Sequence, residues 1–141
     1  ARLAAIASTL CLIGGCALPA DPARARDPYP RTLPRGETVD IQVFREGTSA
    51  IVVNASTRSF HDFDLWLNQR FVRRIASLEA GETVRLGLTG FIDENGESFE
   101  PGGFLRTEPP MTIWIAEIQE EPLTPMIGLV TIATTGSRQR W

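Results

Sequence analysis

From Glu37 onward apolar residues recur at every second position, and clusters of Gly, Pro, Asn and Asp interrupt each run. That period belongs to half-buried strands, because successive side chains on a strand point to opposite faces. Val39, Ile41 and Val43 alternate with Asp40 and Gln42, and the run Ala50–Asn54 follows. Phe63, Leu65 and Leu67 alternate with Asp64, Trp66 and Asn68. Asn68-Gln69 then predicts a tight turn into Phe71–Ile75, making a hairpin. After the break at Ala80-Gly81-Glu82, Val84, Leu86 and Leu88 alternate with Arg85 and Gly87. Met111, Ile113 and Ile115 alternate with Thr112, Trp114 and Ala116, and Ile127–Ala133 is a run rich in β-branched residues. Only Arg70–Leu78 could be argued as a helix instead. Seven short strands between turn signals predict an all-β domain, a small antiparallel β-sandwich.

The N-terminal part reads differently. Its apolar run Leu3–Ile13 has the length of a signal-peptide h-region and predicts a helix, and Ile13-Gly14-Gly15-Cys16 closes it. These four residues resemble the lipobox of a bacterial lipoprotein. The resemblance implies that Cys16 carries lipid on its thiol and becomes the mature N-terminus, on the periplasmic side of a bacterial membrane. With Ala17 rather than Asp after the cysteine, resemblance to enteric lipoproteins implies outer-membrane sorting. The alternative is an uncleaved helix: Leu3 to Ala20 carries no charge, and those 18 residues meet the lower edge of the roughly 17 to 25 that span a bilayer. Residues 17–36 contain Pro19, Pro22, Pro28, Pro30 and Pro34. Proline fixes φ and removes a backbone donor, so an extended spacer is expected, reaching roughly 60 Å at about 3.1 Å per residue. A second reading has this segment laid along a partner. The expected organisation is therefore 1–16 signal or anchor helix, 17–36 linker, 37–135 β-sandwich and 136–141 tail.

Three further segments carry a resemblance. Val53-Asn54-Ala55-Ser56, Asp64–Phe71 and Ser77-Leu78-Glu79-Ala80-Gly81-Glu82-Thr83 are similar to a pattern in small bacterial lipoproteins. There an Asn ends one strand, a hairpin carries an aromatic, and a Gly-Glu-Thr step leads the next strand. The resemblance implies an immunoglobulin-like sandwich and carries over no catalytic residue.

Chemistry is sparse. Cys11 and Cys16 both precede the β-domain, which leaves it without disulfide or thiol nucleophile. The net charge of −3 argues against a nucleic-acid binder. His61, the single histidine, stands beside Ser59 and Asp62, but neighbours on one loop do not make a relay that needs its base held between nucleophile and carboxylate. One histidine and no domain cysteine leave no usual zinc set. Asp93-Glu94-Asn95-Gly96-Glu97 is oxygen-rich, yet the sixth position from Asp93 is Ser98 and not the glycine of an EF-hand. Asn95-Gly96 makes a solvated turn there. Glu120 and Glu121 are adjacent on an extended segment and point apart, and Gly102-Gly103 lacks the strand–helix setting of a phosphate loop. No catalytic residue, metal ligand or cofactor is expected.

The surface candidates are aromatic and basic. If Phe63, Leu65 and Leu67 face the core, Trp66 faces outward near Arg70, Arg73 or Arg74, and Trp114 opposes the phase of Ile113 and Ile115. Trp141 ends the chain after Arg138 and Arg140. Trp and Arg are enriched at interface hot spots. The expectation is a non-enzymatic accessory subunit, held to the membrane by lipid on Cys16 or by the N-terminal helix. It would bind an integral membrane protein complex through Trp66, Arg70, Arg73, Arg74, Trp114 and Trp141. The alternative is a free-standing binding module for a small ligand, peptide or envelope glycan, with Phe91–Leu105 as a lid.

Overall fold

The computed structural model describes residues 20–100 and 110–134. The expected N-terminal helix, Cys16, residues 101–105 of the expected lid and the tail with Trp141 lie outside them. The described part is all-β. Its strands are β1 (Arg35–Glu46), β2 (Ser49–Asn54), β3 (Phe60–Leu67), β4 (Phe71–Leu78), β5 (Thr83–Gly87), β6 (Ala116–Gln119) and β7 (Met126–Ile132). They form one seven-stranded sheet in the order β4-β3-β6-β7-β1-β2-β5.

The β3–β4 hairpin forms where the sequence places it. Asn68 and Gln69 both take positive φ, the conformation that suits the twist of a tight hairpin, and the Arg70 N–H donates to the Leu67 carbonyl at 3.2 Å. The segment Phe71–Leu78 is thereby a strand and not a helix. Two expectations need correction. The sheet is mixed rather than wholly antiparallel, because β1 runs parallel to β7. Alternation fixes which side chains face inward and says nothing of a neighbour's direction. The ladder near the C-terminus also lies later than Met111–Ile115, at Ala116–Gln119. Pro110 offers no donor there, and the Asn68 side chain takes the place of a strand: its amide donates to the Thr112 carbonyl at 2.8 Å and its oxygen accepts from the Trp114 N–H at 3.0 Å.

The inward residues of the alternating runs build the core, with Ile41, Val43, Val52, Phe63, Leu65, Leu67 and Ile118 all buried. The sheet curls until it is nearly closed. Between its end strands β4 and β5 runs the segment after Gly87, whose Leu88, Phe91 and Phe99 plug the core. Ile92 exchanges backbone hydrogen bonds with Val72 at 3.0 and 3.1 Å, and the Phe99 ring meets Phe71 edge-on at 5.2 Å. Each such aromatic, fully buried, contributes about 1.5–3 kcal/mol by removal from water. That burial holds a domain that has no disulfide.

Asn54 ties the opposite end together. Its buried amide donates to the carbonyls of Arg58 (2.7 Å) and Glu79 (3.0 Å), and its oxygen accepts from the Ser56 hydroxyl at 2.7 Å. The Gly81 N–H also donates to the Asn54 carbonyl at 2.8 Å. The Asn-terminated strand and the Gly-Glu-Thr turn, far apart in sequence, thus share one hydrogen-bonded knot.

Candidate functional site

The outer face of the sheet, opposite the core, carries Trp66, Val72 and Met126. Trp66 has the phase its alternation predicts, yet it is 3% exposed. The residues that cover it belong to the Pro-rich segment. Residues 20–34 form a strap along this face rather than a free spacer, with Tyr29 and Leu33 packed on the Trp66 cluster. The Tyr29 ring meets Trp66 edge-on at 5.3 Å, and the Trp66 indole N–H donates to Gln119 Oε1 at 3.0 Å. Proline explains the strap's shape: it can lie on a face but cannot extend the ladder. Trp66 is therefore corrected from a partner-binding residue to part of the strap's own seat.

The polar anchor of the strap is a buried carboxylate. Glu117 alternates with Ala116 and Ile118, so it points to the outer face, where Tyr29 closes over it. The Tyr29 hydroxyl donates to Glu117 Oε2 at 2.7 Å, and Arg35 Nε lies 3.4 Å from Oε1. Burial pushes the Tyr29 hydroxyl up to about 12, helped by the hydrogen bond to Glu117 and by its charge, against a smaller opposing pull from Arg35.

Beyond Tyr29 the strap edges a cleft of about 430 Å³, lined by Pro28, Tyr29 and Arg31 on one side and by Asn68, Gln69, Arg70, Glu94, Asn95 and Trp114 on the others. Trp114 is 64% exposed. Its position follows from Asn68, which pins the backbone on both sides of it. Gln69 reaches across to the Tyr29 hydroxyl at 3.4 Å, so the hairpin turn and the strap touch at the cleft floor.

Arg70 forms a wall that is already engaged. Its Nε and Nη2 donate to Asp93 Oδ2 at 2.9 and 2.7 Å, it bonds Glu97, and it lies over the Phe71 ring at 4.8 Å. Burial alone would lower the Arg70 guanidinium; hydrogen bonding and charge from Asp93 and Glu97 more than offset it and hold it above its ordinary range. Asp93 is wholly buried, unlike the solvated turn expected around it. Its other oxygen accepts from the N–H groups of Asn95 (2.9 Å) and Glu97 (2.8 Å). Burial pushes the Asp93 carboxyl up, but the Arg70 hydrogen bond, these two N–H donors and the Arg70 charge together hold it below the usual carboxylate range. Both oxygens are thus committed, and the loop acts as a buttress rather than an ion cradle.

The remaining candidates scatter. Arg73 donates to the Gly87 carbonyl at 3.2 Å and stands 5.9 Å from the Phe91 ring, stitching β4 to β5. Arg74 pairs with Asp64 at 3.4 Å on the exposed surface, a pairing worth about 0–1 kcal/mol. His61 lies 3.6 Å from Glu79, while the Ser59 hydroxyl accepts from the Ala80 N–H. Glu120 pairs with Arg58 at 3.5 Å. The structure therefore brings Arg70 and Trp114 to one cleft, sets Trp66 beneath the strap, and leaves Arg73 and Arg74 elsewhere. Missed from the sequence were Tyr29, Arg31, Gln69, Asn95 and Glu117 as site residues. Tyr29 had a signal, as the only tyrosine and the only aromatic between Pro22 and Pro34.

Among the described residues no group of His, Cys, Asp or Glu is placed to hold a metal ion, and no helix is long and apolar enough to cross a membrane. No family model, curated protein sequence or solved structure matches this chain.

Proposed function

We propose that this chain is a non-enzymatic accessory subunit, anchored to the periplasmic side of a bacterial membrane through lipid on Cys16, that binds and stabilises a membrane protein complex. The observation that carries the reading is Trp114, a large aromatic left bare at the rim of a preformed cleft while Trp66 on β3 is covered. Trp is the residue type most often found at interface hot spots, and pre-organised neighbours lower the cost of ordering on binding. The fold supports a binding role in a further respect. We read the curled sheet as an immunoglobulin-like sandwich, with β5-β2-β1 as one leaf, β7-β6-β3-β4 as the other, and the parallel β1–β7 pair as the seam. Such scaffolds present loops at their ends on a rigid body.

Trp114→Ala tests this. Loss of a hot spot costs at least about 2 kcal/mol, or roughly a thirtyfold weaker complex. Co-purification from native membranes in mild detergent should fall accordingly, with folding unchanged. Full retention of a stoichiometric partner would remove Trp114 from the interface. The cleft also favours a second reading, a free-standing module for a small ligand, since about 430 Å³ lies within the range of ligand pockets. An acylated chain that extracts alone, with no partner at all, would shift the conclusion to that reading.

A further inference from the structure

The strap reverses the direction in which the domain hangs from its anchor. β1 starts at the end of the sheet that holds the β6–β7 turn: Arg35 pairs with Met126, and Arg58 joins Glu37 to Glu120 there. The β3–β4 turn and Trp114 lie at the other end, because β6 runs antiparallel to β3 with Ala116 opposite Leu67. A tether leaving straight from Arg35 would depart on the side away from the cleft. Instead the Pro34 carbonyl accepts from the Met126 N–H at 2.9 Å, and the chain before it doubles back along the outer face. Tyr29 sits on Trp66, the Arg26 N–H donates to the Asp93 carbonyl at 3.0 Å, and the Asp21 N–H reaches the Gly96 carbonyl at 3.3 Å. Gly96 adopts φ +80°, and a Cβ there would fall 1.9 Å from the Asp21 carbonyl oxygen, so the turn and the strap tip fit only with glycine. Asp21, near the first described residue of the strap, thus lies at the 94–96 turn, which is itself a wall of the Trp114 cleft.

We infer that the cleft end of the domain faces the bilayer, and that its partner is the membrane-proximal, periplasmic part of an integral membrane protein. The inference rests on the reading of Cys16 as the lipid-bearing residue. Five residue steps separate Cys16 from Asp21, a span of at most about 18 Å at 3.3–3.6 Å per residue. A free linker from Cys16 to Arg35 would reach roughly 60 Å at about 3.1 Å per residue. Only protein surface close to the lipid comes within the shorter radius. A planar bilayer does not fill a concave cleft walled by Arg31, Gln69, Glu94 and Asn95. A protein loop can meet both the bare indole and the mixed donors and acceptors beside it.

Two exposed positions at opposite ends test the orientation. Asn95 lines the cleft, and its side chain makes no hydrogen bond among the described residues; Leu123, 86% exposed, lies on the β6–β7 turn. A photo-reactive benzophenone side chain is placed at one or the other in the full chain, expressed in native membranes, and cross-linked peptides are identified by mass spectrometry. Intact mass of the same preparations reads acylation of Cys16. The expected result is an acylated chain that cross-links from position 95 to peptides flanking a transmembrane segment, at least tenfold more than from position 123. An acylated chain that cross-links mainly from position 123, only to lipid, or only to soluble proteins overturns the inference while leaving the anchor in place. An unacylated Cys16 overturns the anchor reading and the inference together.

Discussion

Trp66 and Trp114 begin as equals in the sequence, each alternating with aliphatic residues that face the core. In the folded chain one is 3% exposed and the other 64%. Trp66 sits in β3, whereas Trp114 precedes β6 and belongs to no strand. Trp66 is covered by a segment that precedes β1 by several residues, where Tyr29 and Leu33 close over it and Gln119 takes its N–H. Trp114 stands just past the reach of that strap. Alternation along a strand decides which face a side chain takes, whereas the cover on an outer face is supplied by remote chain.

The largest effect expected from this contrast is on stability. Trp66→Ala removes the floor on which Tyr29, Leu33 and Met126 pack, and large-to-small changes of a buried Trp cost about 3–5 kcal/mol. Trp114→Ala removes no comparable contact and should lie within about 0.5 kcal/mol of the parent. Urea unfolding of both variants measures the gap. Equal losses would mean that Trp114 is packed against something in the folded domain and is not a free binding group.

A smaller effect lies in the Arg70–Asp93 buttress beneath the cleft. Removing Arg70 leaves a buried carboxylate with only its two backbone donors, so Arg70→Ala should cost about 1–3 kcal/mol near neutral pH. The pH dependence has a definite sign. Asp93 is held below its ordinary value of 3.8, so the pair's contribution is complete above that pH and is lost as pH falls through the lowered folded value. The gap between parent and Arg70→Ala should therefore narrow in acid. Urea midpoints taken at pH 7 and near pH 3 report it, and a gap that is constant with pH would show that Arg70 acts through its contact with the Phe71 ring and not through Asp93.

Six of the seven strands were legible because burial on one face leaves a period of two, whereas the same period at Met111–Ile115 marks a segment held by Asn68 and not a strand. The Asn68-Gln69 turn was legible because few residues accept positive φ in succession. The direction of β1 against β7 was not legible, since the parallel pair joins residues about ninety positions apart and leaves no local mark. The strap was misread for a related reason. Its prolines rule out a regular ladder and by themselves suit an extended spacer, but packing needs only one aromatic and one partner surface. The cleft was the least legible, being assembled from the strap, the hairpin turn, the 94–95 turn and Trp114. Asn68 shows the limit clearly: its backbone conformation is readable, and the reach of its side chain to Thr112 and Trp114 is not.

The finest test of the strap is spectroscopic and leaves the sequence untouched. Tyr29 is the only tyrosine, so absorbance near 295 nm follows its ionisation alone. With the strap docked it is pushed up to about 12 from an ordinary 10.0, because burial and Glu117 both disfavour the phenolate. A raised folded value means that the folded state holds its proton where the unfolded state has lost it, so the strap's contribution is complete below pH 10 and fades as pH rises toward 12. The chain has no lysine, so no lysine ammonium is discharged alongside. The titration midpoint should stand near pH 12 in the native chain and near 10 in urea. Glu117→Gln removes the charge but not the cover, and it should bring the native midpoint only part of the way down. A native midpoint of 10 would place Tyr29 in water, and with it the strap, and would make Trp66 as bare as Trp114.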